Sequence, residues 1–208
     1  MKTIELWSGK ASFSKVAAEL GHETWKTDIN PAFDCDLIGD VLDENIQKKI
    51  MQQVKTAHIV WMSPVCTFWS LAAGNTYWTE YRMPRNEKAF IGIKMMMFAR
   101  FVADYCVKHN KIFFIENPNG RAVWIMDNKY LKRVWYCQYG DTRAKPTNIW
   151  SNLKIDFKVC SNNNPDCNHI RAIRGSKTGT QGIKSAADRS MIPSELFQHI
   201  FKTIGDLK

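Results

Sequence analysis

Five short apolar runs recur along the first 120 residues, and each stops at residues able to bind or react. Thr3-Ile4-Glu5-Leu6-Trp7 leads into Ser8-Gly9-Lys10-Ala11-Ser12. A second run, about His22 to Thr27, ends at Asp28, followed by Ile29. Asp36-Leu37-Ile38 ends at Gly39-Asp40-Val41, Ala57 to Met62 stops at Ser63-Pro64-Val65-Cys66, and Lys111 to Ile115 ends at Glu116-Asn117-Pro118. Between these runs lie stretches with helical spacing. Phe13 to Leu20 places Phe13, Val16, Ala17 and Leu20 on one face and closes at Gly21; further helices are predicted near Asp43 to Val54 and over about Asn86 to His109. Strands alternating with helices predict a Rossmann-like, doubly wound, mainly parallel α/β sheet whose ligands bind at the carboxyl ends of the strands.

After Asn119 the pattern changes. Arg133 to Tyr139 and Thr147 to Ser151 read as strands, antiparallel to the rest, whereas residues 158–190 are rich in Asn, Gly, Lys and Arg with little periodicity. Pro193 opens a last helix running to about Ile204, with Leu196, Phe197, Ile200 and Phe201 on one face. The chain divides accordingly into a main α/β domain (1–150), a basic segment (151–190) and a C-terminal helix that packs back on the domain (191–208).

Charge follows the same division. Residues 111–208 hold 16 Lys and Arg against 8 Asp and Glu, so they carry nearly all of the formal net charge of +9. A basic half-molecule suits a polyanionic partner, the alternative being a merely soluble basic surface. No stretch approaches the ~18 uncharged apolar residues of a membrane span, and the start, MKTIELWSGKAS, lacks the apolar run of a secretory signal. These features predict a cytoplasmic protein without membrane attachment. Six cysteines in 208 residues are too few for a disulfide scaffold, so most are expected as thiols, with Cys35 and Cys106 in the core.

Several of the strand-end residues have chemistry that makes sense only in combination. Gly9 lets backbone N–H groups approach a ligand, although a tight structural turn would need it equally. Asp28 stands where a carboxylate can accept hydrogen bonds from ribose hydroxyls, and Asp40 where one can hold a purine amino group; singly, both read as caps or solvated loop acids. Cys66 follows a strand within a Pro-containing turn, where flanking N–H groups would lower its pKa and make it a nucleophile, the alternative being a buried core thiol. Glu116 follows the apolar run Ile112-Phe113-Phe114-Ile115, so its carboxyl is expected to be partly desolvated and able to donate a proton near neutral pH. A thiol and a carboxyl at adjacent strand ends can flank one planar heterocycle.

Ser63-Pro64-Val65-Cys66-Thr67-Phe68-Trp69-Ser70 resembles the catalytic Pro-Cys motif of DNA cytosine-C5 methyltransferases, and Phe114-Ile115-Glu116-Asn117-Pro118 their Glu-Asn motif. Leu6-Trp7-Ser8-Gly9 with Phe13-Ser14 is similar to their S-adenosylmethionine loop. Gln138 to Trp150, with Arg143 and Lys145-Pro146-Thr147, resembles their Arg-bearing strand, and Arg189-Ser190-Met191-Ile192-Pro193 their closing motif. The resemblance spans about residues 3–203 and is nearest in wording to compact phage- or prophage-encoded members. It implies the methyltransferase version of the doubly wound fold and methyl transfer from S-adenosylmethionine to carbon 5 of cytosine in DNA, in a bacterial or phage-infected cell. Cys66 would add to carbon 6, Glu116 would protonate or hydrogen-bond ring nitrogen 3, and Arg143 would hold the base through its carbonyl oxygen. The cofactor would lie against Trp7, Ser8, Gly9, Ser12, Phe13, Asp28, Ile29, Asp40, Val41, Pro64 and Ser190. The base is expected to be flipped out of the duplex. DNA contacts are expected from the loop after Cys66, which carries Trp69, Tyr77, Trp78, Tyr81, Arg82 and Arg85, together with Lys145, Arg171, Arg174, Lys177 and Lys184.

The sequence departs from the family pattern at three places. Ala11 and Ser12 replace the usual glycines after Gly9, Val65 replaces a second proline, and only about forty residues (151–190) stand where a sizeable target-recognition domain is usual. A segment that short can grip phosphates, but reading a long base sequence needs more scaffold, so a short target, relaxed specificity or a partner protein supplying recognition is expected. The departures also leave open C5 modification of a free deoxycytidine nucleotide, transfer of a group other than methyl, or a catalytically silent DNA-binding protein on the same fold. Finally, Cys160, Cys167 and His169, with Cys137 as a fourth ligand, form a candidate Zn²⁺ site, the alternative being unligated loop residues.

Overall fold

A computed structural model describes residues 1–161, 167, 169, 183 and 185–206. Its centre is a seven-stranded sheet, in chain order β1 (Lys2–Leu6), β2 (Glu23–Asp28), β3 (Leu37–Ile38), β4 (Ile59–Met62), β5 (Ile112–Pro118), β6 (Leu131–Trp135) and β7 (Pro146–Ser151). Across the sheet the order is β3-β2-β1-β4-β5-β7-β6. The β1–β2, β1–β4, β2–β3 and β4–β5 pairs are parallel, whereas β7 runs antiparallel to both β5 and β6. The expected doubly wound, mainly parallel α/β class is the one the chain adopts.

Both faces of the sheet are covered, and the two-residue period of the strands decides which side chain goes where. Ile4, Leu6, Val60, Met62, Phe113 and Ile115 share one face with Ile50 and Val54 of α2 (Glu44–Thr56) and Met96, Ala99 and Val102 of α3 (Glu87–Lys108). Ile59, Trp61 and Phe114 point to the other face. There they meet Phe13, Val16 and Ala17 of α1 (Ser12–Glu19) and Leu196, Phe197, Ile200 and Ile204 of α5 (Ser194–Asp206). Trp61 anchors that layer, stacked on Phe13 at 5.6 Å and on Phe114 at 5.4 Å between ring centres.

Helix starts follow local chemistry. The Asp43 carboxylate accepts from the Asn45 and Ile46 N–H groups to open α2, and the Asn86 side chain accepts from Ala89 N to open α3. At α1 the N-cap is Ala11, which has no side chain able to cap; Glu5 of β1 instead reaches across to accept from Phe13 N at 3.2 Å and Ser14 N at 2.8 Å.

The extended run expected over Arg133 to Tyr139 is interrupted. The strand stops at Trp135, and Tyr136–Tyr139 forms a single 3₁₀ turn closed by Gly140 at φ 83°. This turn buries Tyr136, Cys137 and Tyr139, where strand geometry would have alternated them. A short helix α4 (Ala186–Ser190), opened by the Ser185 hydroxyl, lies in the stretch read as aperiodic; five residues are too few to display a helical repeat. Among the described residues no helix is long and apolar enough to cross a membrane.

Candidate active site

In a sheet of this order the crossovers diverge between β1 and β4, and the crevice beyond their carboxyl ends is where open α/β sheets bind ligands. The loop Trp7–Ala11 leaves β1 on one side of that crevice, and Ser63–Cys66 leaves β4 on the other. The β1 loop is held from below. Ser8 N donates to Thr27 O at 3.1 Å, Gly9 N donates to Asp28 Oδ2 at 2.9 Å, and Asp28 Oδ1 accepts from Asn30 N at 2.9 Å. Trp7, Gly9 and Ala11 all take positive φ, near 55°, 50° and 56°. For Ala11 that geometry costs about 1 kcal/mol, so this loop retains the glycine-type turn without the glycine.

The remaining positions expected around a cofactor divide into two groups. Ser190 comes near the loop, its Oγ 4.0 Å from where a Cβ on Gly9 would lie, and Ser12 Oγ accepts from Ile192 N at 3.4 Å. Asp40 is exposed and Oδ1 accepts from Leu42 N at 2.9 Å, Ile29 is exposed, and Pro64 is buried beneath Cys66. Phe13 and Val41 belong elsewhere: both are sealed in the hydrophobic clusters, Phe13 between Trp61 and Phe201, and support the crevice from behind. Cys35, expected in the core, is half-buried and lies 3.2 Å from Ser8 Oγ. The Trp7 indole N–H is buried and has no hydrogen-bond partner among the described residues.

Cys66 opens a 3₁₀ turn (Cys66–Phe68) directly past β4 and is exposed, while Cys106 is buried in the core as expected. The neighbouring strand brings Glu116 alongside, since β4 and β5 pair in parallel up to Met62 and Ile115. The two strand ends are tied together by the buried Asn117 amide, which donates to Pro64 O at 2.9 Å. Glu116 is 6% exposed, and its Oε1 accepts from the Tyr136 hydroxyl at 2.9 Å. Contrary to expectation, the Cys66 thiol is pushed up from its ordinary pKa. Desolvation of the thiolate is the largest cause and the charge of Glu116 the next, with the Lys145 ammonium pulling the other way.

Lys145 is the second departure. Expected on DNA phosphates, it turns inward: its ammonium sits 4.6 Å from the Tyr136 ring centre and donates to Arg189 O at 3.2 Å. Burial draws its pKa down, against the opposing pull of Glu116 and Cys66. Lys145 is therefore the cation that acts most on the thiol, with Arg189 adding a smaller pull the same way.

Arg143 is committed elsewhere. Its Nε donates to both oxygens of Asp141 at 2.9 Å, one terminal nitrogen forms a further ion pair with that carboxylate, and the terminal nitrogens also donate to Arg189 O at 2.9 Å and Met191 O at 3.1 Å. With its donors turned to protein oxygens, Arg143 clamps the α4–α5 connection to the β6–β7 loop and is not aimed at a base carbonyl.

Trp69 also moves to the interior. It is fully buried, 4.9 Å from Trp78 between ring centres, and Trp78 in turn donates to Phe68 O at 2.6 Å and meets Trp124 edge-on. These indoles pack the base of the loop and cannot stack on nucleotides. Tyr81, Arg82 and Arg85 remain exposed on it, Arg82 lying over Trp124 at 5.5 Å. Arg171, Arg174, Lys177 and Lys184 lie outside the described residues. Cys137, Cys160, Cys167 and His169 come together as a group able to hold a metal.

Tyr136 had no signal in the sequence: within Trp135-Tyr136-Cys137-Gln138-Tyr139 an extended reading gives no reason to single it out. Only the 3₁₀ turn aims its hydroxyl at Glu116.

No family model matches the chain, and no curated protein matches its sequence. Among solved structures it is similar to a candidate DNA modification methyltransferase encoded within an E. coli prophage (TM-score 0.45, 16% identity, 73% of this chain and 46% of that one). It is also similar to a mutant of Spodoptera frugiperda DNMT2 (0.42, 17%, 77% and 53%) and to S. pombe Dnmt2 methyltransferase (0.45, 12%, 75% and 51%). The chain spans about half the length of these structures.

Proposed function

We propose that this protein transfers a methyl group from S-adenosylmethionine to carbon 5 of cytosine in DNA, through a covalent adduct of Cys66. The observation that carries the reading is the pairing of an exposed thiol with a buried carboxyl at the ends of adjacent strands, linked by Asn117 and close enough for the charge of one to shift the other.

The β1 loop fits the cofactor on its own chemistry. Asp28 offers a carboxylate at the end of β2, the only side-chain approach to a Cβ at Gly9 would be Ser190 Oγ at 4.0 Å among the described residues, and the buried Trp7 N–H has no partner among them. Bound there, S-adenosylmethionine would supply an electrophilic methyl group. The residues of the chain do the rest. Cytosine carbon 5 is a weak nucleophile until the ring is activated. The Cys66 sulfur adds to carbon 6, moving the 5,6 electron pair onto carbon 5, where it bonds the methyl carbon; loss of the carbon-5 proton to solvent then leaves the C–H pair to restore the 5,6 double bond as the carbon–sulfur bond breaks. Tyr136 occupies one oxygen of Glu116, leaving the other for ring nitrogen 3 of the flipped base. The base-holding cation falls to Lys145, since Arg143 is spent on Asp141 and on backbone carbonyls. Lys145 also favours the Cys66 thiolate, which desolvation by the surrounding protein and the charge of Glu116 disfavour.

The deciding experiment supplies methyl-labelled S-adenosylmethionine with duplex DNA, single-stranded DNA or deoxycytidine monophosphate and identifies the labelled base. Label at cytosine carbon 5 in DNA, reduced at least a thousandfold by Cys66→Ser, is expected. Label confined to the mononucleotide transfers the reading to free nucleotides, and tight DNA binding with no label makes the chain a silent binder. A labelled site of only two to four base pairs is expected from the short 151–190 segment; a longer site read only in cell extract would assign recognition to a partner protein.

A further inference from the structure

We propose that Cys137, Cys160, Cys167 and His169 bind one Zn²⁺ ion in a closed tetrahedral site that fastens the polar segment after β7 to the turn carrying Tyr136. Cys160 Sγ lies 3.5 Å from Cys167 Sγ and 3.7 Å from His169 Nδ1, Cys167 Sγ lies 2.8 Å from the same nitrogen, and all four ligand atoms fall within 4.8 Å of one another. Four ligands about 2.3 Å from a central zinc would stand about 3.8 Å apart, so the side chains already enclose a volume of the right size. Cys137 and Cys160 are buried, Cys167 and His169 half-buried, and none of the six cysteines is joined in a disulfide.

The donor set narrows the metal. Three soft sulfurs and an imidazole in four-coordinate geometry suit Zn²⁺ and leave no position for water or substrate, as in a structural site. In the filled site the three sulfurs coordinate as thiolates and His169 as the neutral ring through Nδ1, so the site carries one net negative charge.

A staple here has a clear physical purpose. Leu153 and Ile155 still pack into the α1–α5 cluster, and Trp135 N and Tyr139 Oη pair with Lys158 O and Lys158 N at 3.2 and 3.0 Å. Beyond Cys160 the sequence Ser161-Asn162-Asn163-Asn164-Pro165-Asp166 has no large apolar side chain with which to build a core. The metal replaces that missing core. Cys137 belongs to the turn whose Tyr136 holds Glu116, and Arg143, six residues further along the same β6–β7 connection, donates to the carbonyls of Asp188, Arg189 and Met191.

The proposal is independent of the methyltransferase reading, because metal content can be measured in a chain with no activity at all. Protein made in zinc-supplemented medium and purified without chelator or polyhistidine tag is expected to contain about one zinc per chain by mass spectrometry. Its Co²⁺-reconstituted form is expected to show the strong visible bands of tetrahedral thiolate cobalt. Cys160→Ser with Cys167→Ser should bring zinc below a tenth of an equivalent, Cys106→Ala should leave it unchanged, and Cys137→Ser should weaken affinity at least tenfold. If the double variant does not fold, titrating the unmodified protein with a mercurial while a chromogenic indicator reports free zinc should release one zinc as three thiols react. Metal-free protein with six titratable thiols, a Cys160–Cys167 disulfide, or undiminished affinity in Cys137→Ser would overturn the closed four-ligand site.

Discussion

At the scale of single residues, the site turns on three side chains that act on one another by charge, Cys66, Glu116 and Lys145, and on the Tyr136 hydroxyl that holds Glu116. Glu116 and burial oppose the Cys66 thiolate, and Lys145 supports it. Removing that ammonium in Lys145→Ala should raise the thiol further, shifting the pH midpoint of Cys66 alkylation upward, as read by mass spectrometry of the Cys66 peptide; an unmoved midpoint would place Lys145 outside the thiol's field. Tyr136→Phe deletes the hydroxyl that donates to Glu116 at 2.9 Å. Losing one donor to a buried carboxylate costs roughly 1–3 kcal/mol of stability and should slow single-turnover methyl transfer roughly ten- to hundredfold. A variant with wild-type turnover would make that hydrogen bond purely structural.

At the scale of elements, β1 and α1 are coupled through one carboxyl. Glu5 is 3% exposed and is pushed up to about 7 from 4.5, chiefly by burial, while the N–H groups of Ser14 and Phe13 pull it back. Between those two values the folded chain keeps a proton that the unfolded chain has lost, so this group's contribution to stability falls as pH rises from about 4.5 to about 7. The full span is worth roughly 3 kcal/mol. Urea unfolding across that range should show the decline, and Glu5→Gln should flatten it; parallel pH profiles for the two proteins would refute the assignment. The strands and long helices that frame this contact were legible from their apolar spacing, as Phe13, Val16 and Ala17 illustrate. The cap was not, because Glu5 and Phe13 meet only after β1 and α1 have packed.

At the scale of the whole molecule, Arg143 joins the C-terminal elements to the sheet. It is 5% exposed and bonds Asp141 as well as the carbonyls of Arg189 and Met191. A lysine cannot reproduce that planar fork, so Arg143→Lys should cost roughly 3 kcal/mol and speed amide exchange across residues 186–193. Loss of turnover with stability and exchange unchanged would instead return Arg143 to the base. The same scale corrects Trp69: its aromatic neighbours in sequence fit a DNA-facing loop equally well, but Trp78 and Trp124 draw it inward.

The sequence by itself determined the doubly wound sheet and the strand ends at which Cys66, Glu116, Gly9 and Asp28 stand, because periodicity and chain-breaking residues are local properties. Tertiary structure alone decided which cation faces the thiol, which hydroxyl holds the carboxyl, and which arginine became a clamp. Those outcomes depend on side chains from β5, the β6–β7 connection and the α4–α5 junction competing for the same buried donors and acceptors, and no local pattern encodes the result of that competition.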